Sequence, residues 1–397
     1  MVVGANPMQN HLDLEAFRSE IRSTLRRVLP DDIRRKASEG FTGVPAPMIR
    51  RWQKILFDLG GWSCPNWAKQ DGGPGWSLNQ QYIFEQELAL AGAPRTYFFN
   101  HGMIGPAIIE FGTDAQKQKY LRGLGDGNIL TCQGYSEPNA GSDLASLKCK
   151  AERQGDHYIV NGSKIWTSNG HEADLMFGLF RTDASGKKQY GITLLLVEMN
   201  SPGLKIAPII TYEGSHEVNQ VCFDNVKVPV ENRLGDEHDG WRLSRIILAY
   251  ERFGTAEVGR SVMALQRLKE LAAKTPAPGG YLIQQPEFLQ KITDVEIDLR
   301  ALEVTEQRLL LQVSTGAEAS LLKIRGTEIQ NRIFELTVEA LGIPAIYDVP
   351  SGKESPVPFE GFEQATRLFL NMRKTLIYSG SNEIQKNIIA RAVLGLR

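Results

Sequence analysis

Three groups of residues in this sequence are of types that do chemistry. Glu251 lies in Tyr250-Glu251-Arg252, inside a stretch where Leu243, Ile247, Tyr250, Val258, Val262, Leu265 and Leu268 recur at helical spacing. On a helix its face is shared with Ile247, Gly254, Thr255 and Val258, all apolar or small. A carboxylate there is costly unless it is used or paired, and the adjacent Arg252 offers a pair on a solvated face. The second group runs from Cys132 to Asn169. It holds Ser136-Glu137-Pro138, Gly141-Ser142-Asp143, Asn161-Gly162-Ser163-Lys164 and Trp166-Thr167-Ser168. Taken alone, Trp166 reads as core and the serines as turn residues. The third is Ile377-Tyr378-Ser379-Gly380-Ser381, where Ser379 has no adjacent histidine to activate it. Metal chemistry is not indicated. Cys64, Cys132, Cys149 and Cys222 form no CxxC pair, and the 6 histidines form no HExxH. A reducing compartment fits such cysteines better than a disulfide framework.

The elements that must position these groups follow from periodicity. From about residue 12 to 130 the pattern is helical, marked by Leu14, Phe17, Ile21, Leu25 and Val28, then by Asn79–Ala91. Thr113 is placed to cap a short helix within Phe111–Leu124. From about 131 to 235 the period becomes that of strands. Tyr158–Val160 and Lys164–Trp166, joined by Asn161-Gly162, predict a hairpin with a tight turn. Further strands are expected at Leu175–Arg181, Gly191–Glu198, Leu204–Ile206 and Gln220–Val230. Helices return from about 241. One long helix runs through Leu243 to Leu268, and a second through Ile292 to Leu302. Two more lie near 318–341 and 362–376, with a short one after Ser381. The expected domains are 1–130, all-α; 131–235, β; and 236–397, a helical bundle. This order is not βαβ alternation, and no GxGxxG follows a strand.

A chain of 397 residues accommodates two or three domains, and 42% hydrophobic with 23% charged residues is ordinary for a globular protein. Lys+Arg 45 against Asp+Glu 46 leaves a net charge of −1, with no basic excess to grip nucleic acid. No apolar run is long enough to span a membrane, and no basic segment followed by an apolar one opens the chain. The expectation is a cytoplasmic protein without membrane span or signal peptide.

The segment CQGYSEPNAGSDLASLKCKAERQGDHYIVNGSKIWTSN resembles the acyl-CoA dehydrogenase family, as do FGTDAQKQKYL before it and IYSGSNEIQKNIIARAVLGL at the C-terminus. The resemblance implies an α+β fold: an N-terminal helical domain, a middle β-barrel domain and a C-terminal four-helix bundle. It implies flavin adenine dinucleotide (FAD) as cofactor. It also implies oxidation of an acyl-CoA to the 2,3-enoyl-CoA, with electrons leaving to an electron-transferring flavoprotein. Trp166 would then wall the flavin, with Ser168 near its N5 and Ser142 near flavin or CoA. Tyr135, Ser136, Gly141, Thr167, Ser381 and Glu383 would complete the cofactor contacts. Phe98, Phe99, Gly102, Met103, Arg252 and Tyr378 fall where the family contacts its substrate.

Many members carry the α-proton base as Glu in the C-terminal segment; here that position is Ser379, whose backbone N–H can still bond the thioester oxygen. Other members place the Glu on the first long helix of the C-terminal domain, just before an Arg. Glu251 matches that position and is the expected base. Two more segments depart from the family. Lys274–Glu296 lacks the Arg-x-x-Phe-Gly whose Arg reaches a neighbour's cofactor diphosphate, and Leu341-Gly342-Ile343-Pro344-Ala345 lacks the Gly-Gly-x-Gly turn. Both departures imply a paralogous partner chain in an α2β2 assembly, unless Lys274 or Lys353 substitutes in a homo-oligomer. A non-catalytic structural subunit and an acyl-CoA oxidase are the alternatives on the same fold.

Overall fold

Strands covered on both faces read as unbroken apolar runs. Two such runs, β4 (Leu175–Arg181) and β5 (Ile192–Glu198), pair antiparallel in the computed structural model. The structure describes residues 7–38, 44–310, 317–346, 357, 359 and 361–396, with the side chains of 7–12, 250–255, 310 and 346 outside that description. Within it, helices α1 (Pro7–Val28), α2 (Asp31–Ser38), α3 (Ala46–Asp58), α4 (Leu78–Leu90), α5 (Gly105–Phe111) and α6 (Asp114–Asp126) precede the sheet. Its other strands are β1 (Thr131–Gly134), β2 (Lys150–Gln154), β3 (His157–Ser168), β6 (Leu204–Ile210), β7 (His216–Pro229) and β8 (Arg233–Leu234). After it come α7 (Gly240–Thr255), α8 (Val258–Ala272), the hairpin β9 (Pro276–Ala277) and β10 (Gly280–Tyr281), α9 (Pro286–Leu310), α10 (Ala317–Leu341), α11 (Ala365–Met372) and α12 (Asn382–Leu394).

These elements gather into two compact units, one from Pro45–Gly75 and Thr96–Glu251, the other from Met1–Val44, Trp76–Arg95 and Arg252–Arg397. In the first, an eight-stranded sheet runs β6-β7-β3-β2-β4-β5-β8, with β1 parallel to β4. Leu175, Phe177, Leu179, Leu194 and Leu196 face one core with Ile104, Ile108, Leu124 and Ile247 from the helices. Met176, Phe180, Leu195 and Val197 face the other with Tyr158, Val160, Val221 and Phe223. In the second, Leu265, Leu268, Ile292, Leu299, Leu322, Ile329 and Ile333 form one core of α8, α9 and α10. Among the described residues no helix is long and apolar enough to cross a membrane, and no three His, Cys, Asp or Glu are grouped to hold a metal.

Two expectations are corrected. Asn161-Gly162 is not a turn: β3 runs through it as one 12-residue strand. The reversal lies earlier, at Gly155 (φ 65), where β2 folds onto β3 with Gln154 opposite His157. Gly162 takes φ 135 at a shift of register against β7, and a Cβ there would come within 2.8 Å of Cys149 Sγ. The positive φ that suits a tight turn equally suits an irregularity within a strand. Nor is Leu243 to Leu268 one helix; it breaks between α7 and α8. Glu257 is left-handed (φ 44), with Arg95 at 3.1 Å and Arg260 at 3.4 Å from its carboxylate. Gln330 Nε2 donates to the freed Ala256 carbonyl, and a Cβ on Gly326 would lie 2.7 Å from Ala256 Cα. The break is thus imposed by α10, which a periodicity reading of one helix does not contain.

α1 is tied to α4 by Glu87, whose side chain is 1% exposed and accepts from Arg18 and twice from Arg22 at 2.8–3.0 Å. Burial pushes this carboxyl up, but the hydrogen bonds of Arg22 and Arg18 outweigh it, and the net direction is down. The stabilisation is whole above the unfolded value, about 4.3, and is lost as pH falls through the lower folded value. Glu87→Ala is expected to cost about 2–4 kcal/mol in urea denaturation, below the full weight of a buried pair because both guanidiniums stay partly in water. The variant should also lose that acid-sensitive increment.

Candidate active site

The Ser136-Glu137-Pro138 and Lys164-x-Trp166 motifs are fastened to one another by a buried ion pair. Lys164 Nζ lies 2.8 Å from Glu137 Oε1, with side-chain exposures of 0% and 9%. A second N–H goes to Tyr135 O at 3.2 Å, and the ammonium sits 5.2 Å from the Phe180 ring centroid. Glu137 also accepts from the backbone of Lys148 (2.6 Å) and Cys149 (2.9 Å). Ile165 N donates to Ser136 O, so the loop leaving β1 lies along β3. Reciprocal backbone bonds between Glu137 and Ala140 make a tight turn that leaves Gly141 and Ser142 exposed, and a Cβ on Gly141 would meet nothing within 4 Å.

At the end of β3 the chain is strained. Trp166 has φ 62, within a register shift between Lys164 and Thr167. A bulky residue in that region is an outlier costing about 1–3 kcal/mol. The result is an indole 59% exposed rather than packed as core. Thr167 next to it is fully buried, and its Oγ1 has no hydrogen-bond partner among the described residues. Ser168 pairs with Val218 and is half-buried.

Phe98 and Phe99 lead into a π-helical turn, Phe99–Ile104, that carries Gly102 and Met103. π-turns of this kind are frequent at functional sites. Asn100 holds it, donating to Leu124 O and Ile129 O while accepting from the N–H and hydroxyl of Thr131. Gly102 is required by packing, since a Cβ would sit 2.3 Å from Phe98 Cε2; Met103 is fully buried in the core. Phe177 joins two groups of site residues. Its ring lies 6.3 Å from Phe99 and 5.9 Å, edge-on, from Tyr135.

In the other unit, Ser379 (φ 54) and Gly380 (φ 77) form a left-handed turn, held by Gln385 Nε2 on Ser379 O at 2.8 Å. Ser381 caps α12, and Lys323, fully buried, donates to Asn382 Oδ1 at 2.8 Å. Tyr378 is exposed. The Glu383 carboxyl is held low by its own backbone N–H and by Ser381. Glu251 and Arg252 lie on the helical backbone of α7, but their side chains fall outside the described residues.

Family models of the acyl-CoA dehydrogenase N-terminal, middle and C-terminal domains match residues 12–128, 132–226 and 238–394. The chain belongs to the acyl-CoA dehydrogenase family. It is 34% identical over 393 residues to acyl-CoA dehydrogenase IpdE1 of Mycobacterium tuberculosis, covering 97% of this chain and 98% of that one. Among solved structures, the Tcur3481-Tcur3483 steroid ACAD superposes with a TM-score of 0.85 at 31% identity, covering 97% and 98% of the two chains. The ChsE4-ChsE5 complex of Mycobacterium tuberculosis gives 0.84 at 31%, covering 100% of both.

As a member of this family, the chain is an oxidoreductase whose cofactor is FAD and whose reaction is dehydrogenation of an acyl-CoA. The geometry at the end of β3 fits that cofactor. The exposed indole of Trp166 and the half-buried Ser168 near it are of the types that a flat ring with a polar edge would meet. Glu137 and Lys164 stand inside the sequence motifs without a role legible there, and nothing in the sequence marks Asn100 as the anchor of the π-helical turn. The one available signal was a Glu and a Lys 27 positions apart, each inside a motif.

Lys164→Met is expected to lower stability by about 3–5 kcal/mol, because it takes the counter-charge away from the buried Glu137 carboxylate. Glu137→Gln combined with Lys164→Met should recover part of the loss in a urea-denaturation cycle. An unchanged midpoint in the single variant would show the pair to be idle.

Proposed function

We propose that this chain is the FAD-holding, catalytic subunit of a heteromeric acyl-CoA dehydrogenase, with Glu251 as the α-proton base. The observation that carries the reading is the C-terminal turn, where Ser379 stands at the position many family members give to Glu, while Glu251 lies on α7 just ahead of its last turn. A carboxylate accepts a carbon-bound proton near neutral pH far more readily than a serine hydroxyl does. An α-proton beside a thioester is weakly acidic, so a carboxylate removes it only with help. The Ser379 N–H donates to the thioester oxygen, stabilising the charge that develops there. Its strained, Gln385-held backbone keeps that donor fixed. FAD, when bound, supplies the acceptor for the β-hydrogen as hydride at N5. Trp166 would wall the ring, Thr167 and Ser168 would meet its polar edge, and Ser136 and Ser142 would serve the remainder. Phe98 and Phe99 line the acyl side. An electron-transferring flavoprotein takes the electrons away.

Two solved relatives are two-protein assemblies, and one of them is described as a steroid ACAD. This supports a bulky, sterol-derived acyl group as substrate and a paralogous chain as partner, two copies of each. The second point has a charge argument. A diphosphate needs cations or N–H donors around it. Between Lys274 and Glu296 this chain has no arginine, and its β9–β10 hairpin presents prolines and glycines instead.

Glu251→Gln is expected to keep FAD content and acyl-CoA binding but to lower turnover by about 10²–10⁴-fold, the weight of a positioned base. Ser379→Ala should stay within a few-fold of the parent. Near-normal turnover in Glu251→Gln would remove the base assignment. Expressed by itself, the chain should retain FAD poorly, and co-expression with a paralogue carrying Arg-x-x-Phe-Gly should restore it with fewer flavins than chains. A fully active homo-oligomer holding one FAD per chain would overturn the heteromer.

A further inference from the structure

Asn219 is fully buried on β7, opposite Thr167, and both polar atoms of its side chain are engaged. Nδ2 donates to Thr167 O at 3.0 Å and to His171 Nδ1 at 3.1 Å; Oδ1 accepts from His216 Nε2 at 2.7 Å. These partners fix the protons. A carbonyl oxygen only accepts, so the amide nitrogen must face Thr167. His171 Nδ1 must then present a lone pair, and His216 Nε2 must carry hydrogen. The two imidazoles stack, with centroids 3.9 Å apart and planes 22° from parallel, and both are exposed above the buried amide. The carbonyl they secure comes directly after the interruption in the β3–β7 ladder.

We infer that Asn219 is a positioning residue for the Thr167–Ser168 end of β3, and that it holds this end only while His171 is neutral. The inference rests on the proposed contact of Thr167 and Ser168 with FAD. Protonated His171 would turn an N–H toward the Asn219 N–H, replacing a hydrogen bond by two opposed donors. The groups facing His171 are His216 and Asn219 from β7 and Glu172 beside it in the chain. Loss of water around the ring first, and then the electrostatic influence of His216, hold His171 below the ordinary histidine range, against the opposing pull of Glu172. The sign follows. With the folded value depressed, the clamp is whole above the unfolded value, about 6.5, and opens as pH falls through the folded value.

The test is FAD release from the holoenzyme with its partner chain, followed by flavin fluorescence from about pH 5 to pH 8. In the parent, release should accelerate roughly ten-fold towards the acid end, the weight of one hydrogen bond. His171→Gln offers an acceptor that does not titrate; its release should be slow and flat with pH. Asn219→Ala should release FAD fast at every pH, and Asn219→Ser serves if the alanine variant does not fold. Because His171 lies at the surface, His171→Gln leaves the core undisturbed. An acid limb that persists in His171→Gln, or parental retention in the Asn219 variants, overturns the clamp. Ser168→Ala separates the two levels of the argument. If it alters FAD retention while the His171 and Asn219 variants do not, the clamp alone is wrong. If it is silent, the contact on which the clamp rests is wrong, and the clamp falls with it.

Discussion

The site depends first on the Glu137–Lys164 pair. Two charges withdrawn from water gain little net stability from one another, and an apolar pair of the same volume would often do as well. What the pair adds is position. Glu137 reads two backbone N–H groups at Lys148 and Cys149, and Lys164 reads the Tyr135 carbonyl. One interaction therefore sets where the loop after β1 crosses β3 and where Ser136 and the Thr167–Ser168 end of β3 are placed. An apolar substitute could fill the volume but could not specify those hydrogen bonds.

The same logic governs the strained backbone. Trp166, Glu257 and Ser379 all have positive φ without being glycine, each at a cost of about 1–3 kcal/mol. Such conformations persist only where the surroundings over-determine them. At or beside each, a side-chain amide grips a neighbouring carbonyl: Asn219 on Thr167, Gln330 on Ala256, Gln385 on Ser379. An amide presents two N–H donors and an acceptor without charge, so it can secure a buried carbonyl at no ionic desolvation cost. The recurrence explains why Gln and Asn, residues that carry no catalytic chemistry here, occupy fully or almost fully buried positions.

What was legible in the sequence was local. Thr113 caps α6 with Gln116 closing the box, because capping needs only residues three apart. β4 and β5 were visible as apolar runs because both of their faces are buried. The Asn161-Gly162 hairpin and the unbroken helix through Leu268 failed for one reason: what decides each position is far away in sequence. Cys149 presses on Gly162, and Gly326 with Gln330 presses on Ala256. The family motifs name candidate site residues, yet they are silent on the hydrogen bonds made by Asn219 and Asn100. Both are tertiary hydrogen bonds between residues of ordinary type.

Moving the base from the C-terminal turn to α7 has a physical consequence under the proposed mechanism. One residue that served as both proton acceptor and oxyanion donor would place a charge beside its own thioester contact. With Ser379 there, the turn has only to present an N–H, and a small neutral side chain leaves that dipole unopposed by a nearby carboxylate. The carboxylate instead rides on a helix whose end is fixed by the break at Ala256–Glu257. A helix terminus locked by a neighbour's glycine and amide moves less than a surface loop, and effective molarity depends on such fixity. Under that mechanism the demands on the two segments are separate: the strained turn at Ser379 presents the fixed donor, and helical backbone carries the group that holds a proton.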